Sequence, residues 1–114
     1  MEEAQNKLVE EIVVKIYEKY PDLVEKFGEH GKRKTFEDNI HHFNSLNLAY
    51  EANHVEIFVN YTMWLNDVLT TRGVSTEIII ENYNIIVDVI EGKLTKERVA
   101  FYNKAIEQAV WSLL

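Results

Sequence analysis

The sequence predicts an all-α fold: a single-domain antiparallel helical bundle, or a globin-like packing, of five long helices and one short. Apolar residues recur at three- and four-residue steps through nearly every segment, the repeat of a helix with one buried face. The four glycines and one proline all fall between those segments, where helices end. The most strand-like stretch, "EIIIENYNIIVDVIEG", spaces its polar residues for one face of a helix and not for the alternation of a strand.

In chain order, Leu8, Val9, Ile12, Val13, Ile16, Tyr17 and Tyr20 make the buried face of a first helix over 2–20, with Glu3/Lys7 and Glu11/Lys15 as outer pairs. Pro21 closes it and sits at the first turn of a short helix ending at Gly28 or Gly31. Thr35 is expected to open the next helix, with Asp38 completing an imperfect capping box. Its buried line is Phe36, Ile40, Phe43, Leu46 and Tyr50, and Asn53 is a left-handed stop. From Val55 to Arg72 the apolar arc is wide and takes in Phe58, Tyr61, Trp64 and Leu65, so this is the central helix. Gly73 stops it, and Ser75 or Thr76 caps the following one. There Glu77, Glu81, Asn84, Asp88 and Glu91 share the outer face, while Asn82 falls on the apolar side among Ile78, Ile86 and Val89. Gly92 ends that helix. Thr95 then caps a last one with its core line on Val99, Tyr102, Ile106, Ala109, Val110 and Leu113.

Composition excludes several function classes. No apolar run approaches the roughly 20 residues needed to span a bilayer, and no signal peptide is visible, so a cytoplasmic protein is expected. The chain has no cysteine, which removes disulfides, thiolate zinc and a cysteine nucleophile. A net charge of -7 argues against nucleic acid and acidic membranes as partners. The local exception is "GKRK", where Lys32, Arg33 and Lys34 stand before the expected helix start and make a candidate anion site.

Three of the four histidines lie in "EDNIHHFNSLNLAYEANHVEIF" among four carboxylates. Di-iron bundles use paired Glu-x-x-His motifs, for which Asp38/His41 and Glu51/His54 are the nearest equivalents. On a wheel of about 100° per residue, however, His41 lies roughly 140° from Phe36 and His42 about 120° the other way. Neither is on the expected core line, and His54 lies past the Asn53 stop. Asp38 and His42, one turn apart, are the better pair: the carboxylate orients the imidazole, giving either a boundary histidine held by its own helix or a pH-sensing or ligand-contacting one. Trp64 and Asn82 are the further candidates for lining a ligand pocket. No catalytic motif is present, so no enzyme activity and no cofactor are expected. Phe101 and Trp111 fall off the last helix's core line and, with the closing "VWSLL" of which Trp111 is part, mark an interface, either with a second copy as a homodimer or with a signalling partner.

The order "YPDLVEKFGEHGKRKTFED", "HHFNSLNLAYEAN", "FVNYTMWLNDVLTTRGV" resembles the helical region that precedes cobalamin-binding domains in bacterial regulatory and sensory proteins. The resemblance spans roughly residues 17–90 and rests on Gly28, Asp38, His42, Phe58, Tyr61, Trp64, Leu65, Arg72, Gly73 and Val74. The cobalamin signature Asp-x-His-x-x-Gly is absent, so corrinoid coordination is not implied. A regulatory or interaction role is. The expectation is therefore a non-enzymatic sensory or protein-interaction module, the alternative being a protein that binds haem, iron or an apolar small molecule at Asp38 and His42.

Overall fold

The computed structural model describes residues 2–114. The protein is all-α, with five helices and no strand among the described residues: α1 (Glu2–Lys19), α2 (Asp22–Ala52), α3 (Glu56–Thr71), α4 (Thr76–Ile90) and α5 (Lys96–Leu113). It divides into two compact units, Met1–Asn44 and Ser45–Leu114.

In the first unit α1 and α2 run antiparallel. Gln5 donates to Asn44 at 3.5 Å near one end, and the Tyr17 hydroxyl lies 3.3 Å from Thr35 Oγ1 near the other. Leu8, Val9, Ile12, Ile16 and Tyr17 form the buried face of α1. The short helix expected before Gly28 is the opening turn of α2, not a separate element. Gly28 takes φ 65, ψ -162 and kinks the chain, and the helix resumes at once. That backbone region is open essentially to glycine alone. The kink brings Phe27 over Gly31, where an added Cβ would collide with the Cβ of Phe27. One glycine therefore bends the helix and the other makes room for the bend. Thr35 does not start a helix. It lies inside α2, and its hydroxyl donates back to the Gly31 carbonyl at 2.9 Å.

The buried stripe of α2 is Asn39, His42, Phe43, Leu46 and Ala49, while Phe36, Ile40 and Tyr50 are only half-buried. The inward face is thus turned from the expected line toward two polar residues. Asn39 tolerates this because its amide donates to the Thr35 carbonyl at 3.0 Å, which satisfies part of a group that burial would otherwise penalise.

The second unit is ordered by local caps. Asn53, at φ 54, ends α2: its N–H reaches the Tyr50 carbonyl at 3.1 Å and the His54 N–H reaches Ala49 at 2.9 Å. Gly73, at φ 89, repeats this paired closure on α3, through the Gly73 and Val74 N–H groups to Thr70 and Leu69. Ser75 and Thr95 accept from Ile78 N and Arg98 N, at 3.4 and 3.2 Å, as N-caps of α4 and α5. Helix α5 packs against α3 and α4, and those two touch each other less extensively. Its buried stripe, Tyr102, Ala105, Ile106 and Ala109, carries two alanines, and small side chains let helix axes approach. Between α3 and α4 the Phe58 and Tyr83 rings lie 5.2 Å apart, and the Tyr83 hydroxyl meets Thr62 Oγ1 at 2.8 Å.

Two predictions follow from this packing. Gly28→Ala costs about 1–3 kcal/mol from backbone strain alone, since nothing lies within 4 Å of its added Cβ. Gly31→Ala costs more, because the opposing Phe27 Cβ is fixed to the backbone; urea unfolding measures both. Burial also raises the pKa of Tyr83 and Tyr102 above the ordinary value of 10.0, with Thr62 and Arg98 opposing it. The unfolded chain releases these protons first, so their contribution is whole below pH 10 and is lost as pH rises through the higher folded values. Stability should fall above pH 10, and less steeply in Tyr83→Phe.

Candidate functional site

A groove of about 350 Å³ runs between α4 and α5. Val87 of α4 and Ile106, Val110 and Leu114 of α5 give it apolar walls, and Asn84, Asn103 and Glu107 its polar positions. Trp111 flanks it at 70% exposure and Leu114 at 83%. The α5 members recur every three to four residues and so form one stripe, next to the stripe that α5 buries. Asn103 Oδ1 is buried there with no hydrogen-bond partner, the one such side-chain atom among the described residues. An orphaned buried acceptor costs about 1–3 kcal/mol and calls for an explanation. The groove therefore offers apolar contact and a large exposed aromatic, with the buried, unmet amide oxygen of Asn103 beneath its wall.

Asp38 and His42 lie one turn apart on α2, but His42 is 2% exposed, whereas the sequence places it at an edge. Trp64, expected in the core and at a pocket, is 60% exposed and leans on Tyr61 at 6.2 Å. The inward side of α3 is narrower than expected and uses Phe58, Thr62 and Leu65, with Thr62 accepted because Tyr83 satisfies it. Asn82 is buried on α4 as its position implies.

Lys32, Arg33 and Lys34 do not precede a helix start; they lie inside α2, where no free backbone N–H groups gather. Successive helical positions send them in different directions: Lys32 lies over the Tyr17 ring at 5.5 Å, Lys34 reaches Glu37 at 3.8 Å, and Arg33 is exposed. They make no shared anion cradle. Phe101 is half-buried and not exposed, its ring edge-on to Tyr50 at 5.6 Å, and of the expected interface pair only Trp111 stands out into solvent. His54 is an exposed partner of Glu56 at 3.0 Å, and no group of three His, Asp or Glu side chains that would hold a metal occurs among the described residues.

Sequence reasoning missed the polar cluster that joins the end of α2 to α5. Arg98 donates to Asn47 Oδ1 at 2.7 Å and to the Tyr102 hydroxyl at 2.9 Å, and its guanidinium lies 4.2 Å from the Tyr50 ring centroid. Tyr102 also donates to Asn47, and Tyr50 donates to Glu97 at 3.4 Å. The one signal in the sequence is Arg98 a turn before Tyr102; nothing local reveals Asn47. Asn103 was missed too, because a polar residue beside the core line reads as an ordinary boundary position.

No family model matches the chain, and no curated protein or solved structure is significantly similar to it.

Arg98→Lys keeps the charge but loses the planar fork that serves two oxygens and a ring together. It should lower stability by about 1–3 kcal/mol, close to Arg98→Ala, in chemical denaturation.

Proposed function

We propose that this protein is a non-enzymatic helical interaction module that docks a protein partner on the α4/α5 groove. The observation that carries this reading is Asn103 Oδ1, a buried acceptor without a donor, set in an apolar groove beside a tryptophan that is 70% exposed. Tryptophan anchors ringed by apolar contacts dominate binding energy at protein interfaces. The net charge of -7 favours a protein partner over nucleic acid or an acidic membrane. No helix among the described residues is long and apolar enough to cross a membrane, in keeping with a cytoplasmic setting. A regulatory role agrees with the resemblance to the helical region ahead of cobalamin-binding domains. The alternative of haem or iron at His42 and Asp38 has less support: neither residue lines the groove, and no group of three His, Asp or Glu side chains that could hold a metal occurs among the described residues.

A photoreactive benzoylphenylalanine at Leu114, in the groove, should give discrete protein adducts in cells, and the same group at Met63, 48% exposed on α3, should not. Equal labelling at both positions, or none at Leu114, removes the docking reading.

A further inference from the structure

We propose that the α4/α5 groove seats a basic amphipathic helix of another protein, its apolar side in the groove and its Lys or Arg side chains along the α4 lip. This rests on the docking reading and goes beyond it by naming the chemistry of the partner. The two lips of the groove differ in charge. On the α4 side, Glu77 lies two turns before the groove residue Asn84, Asp88 one turn after it and the C-cap Glu91 two turns after it. All three therefore share the face of Asn84, and all three are exposed. Helix α4 itself contains no Lys or Arg. The α5 lip is mixed: Lys104 and Trp111, two turns apart, flank Glu107, and Lys96 lies two turns before Asn103. An arriving helix thus meets an acidic edge on one side only, which selects cations on that edge of the partner and rejects carboxylates there.

Shape selects a helix. From Asn103 to Leu114 the α5 stripe runs about 16 Å at about 1.5 Å rise per residue, or about three turns. Val87 and Val110, both half-buried, give it an apolar floor, with Trp111 and Leu114 standing beside them. A partner helix of similar length offers that floor one stripe of side chains at three- and four-residue steps, the spacing by which amphipathic helices lie in grooves. A small organic molecule fits less well. Pockets for such ligands enclose roughly 70–90% of the ligand surface, whereas Trp111 and Leu114 stand 70% and 83% exposed.

Size and charge set the strength. One groove between two helices takes less than the about 800 Å² that a standard interface takes from each partner, so binding is weak, in the micromolar range. The net charge of -7 draws a cation-rich segment toward the chain, and salt weakens the complex by screening that attraction.

The probes are rhodamine-labelled synthetic peptides of about 14 residues, titrated with the full chain and followed by fluorescence anisotropy. One is a leucine/lysine helix with leucine at every third or fourth position; the second replaces its lysines by glutamate, and the third scrambles its order. The leucine/lysine helix should bind with a micromolar Kd that rises with salt, and the other two should bind at least about tenfold more weakly. Asp88→Asn with Glu91→Gln should weaken the leucine/lysine helix about fivefold. Removing carboxylates from the C-terminal end of α4 leaves that helix intact, because the end of a helix dipole repels them. Glu51→Gln with Asp67→Asn makes the same change in net charge at exposed residues that do not line the groove, and should leave Kd within about twofold. Trp111→Ala should raise Kd about tenfold with helix content unchanged. Absence of binding by the leucine/lysine helix, equal binding of either control peptide, or equal weakening by the two carboxylate pairs overturns the basic helix as occupant. If adducts from Leu114 persist in cells in that case, the docking surface stands and takes a partner of other chemistry; if they too are missing, both readings fall.

Discussion

Burying a polar group is tolerable only when another group answers it, and that constraint organises Ser45–Leu114. Tyr83 and Tyr102 are among its largest fully buried side chains, and each carries a hydroxyl into the interior. Tyr83 is answered by Thr62, which ties α4 to α3. Tyr102 is answered by Arg98 and Asn47, which ties α5 to the last turns of α2. These bonds add little net energy, yet breaking one strands a partner away from water, so they select one arrangement of helices from the many that the apolar surfaces alone would allow.

The same rule gives meaning to its exception. With the interior groups Thr62, Tyr83 and Tyr102 paired, the unpaired Asn103 Oδ1 is conspicuous, and it falls in the groove where α5 also leaves Trp111 uncovered. Local rules that fail in an otherwise consistent chain concentrate at places that do something. Here the two failures, an unmet acceptor and a bare aromatic, share one stripe of one helix. An uncovered indole alone would be unremarkable, since more than half of any protein surface is apolar.

Unit Met1–Asn44 obeys a different constraint, set by backbone conformation. Gly28 adopts angles closed to other residues, and Gly31 leaves the space that the resulting bend needs. Without the bend the turn at Asp22 would stay in line with the rest of α2. Past the bend the helix continues, and the half-buried Thr35 sets its hydroxyl between the Gly31 carbonyl and the Tyr17 hydroxyl.

Sequence alone determined the class of fold and most helix ends. Asn53, Gly73, Ser75, Gly92 and Thr95 act where they were expected to act, because caps and stops are made by backbone groups a few residues apart and need nothing from the rest of the chain. Periodicity likewise identified α4 as a helix despite its β-branched residues. Which side of each helix turns inward was decided by tertiary structure. Asn39, His42 and Thr62 are buried where apolar neighbours were expected, while Trp64 is left outside and Phe101 is covered by Tyr50. A wheel ranks residues by polarity, whereas burial depends on whether a partner on a distant segment can meet each hydrogen bond or match each shape. The groove was illegible for the same reason: Val87 and Asn103 become neighbours only once α4 and α5 have packed, and an unmet acceptor exists only after every other group has found its partner.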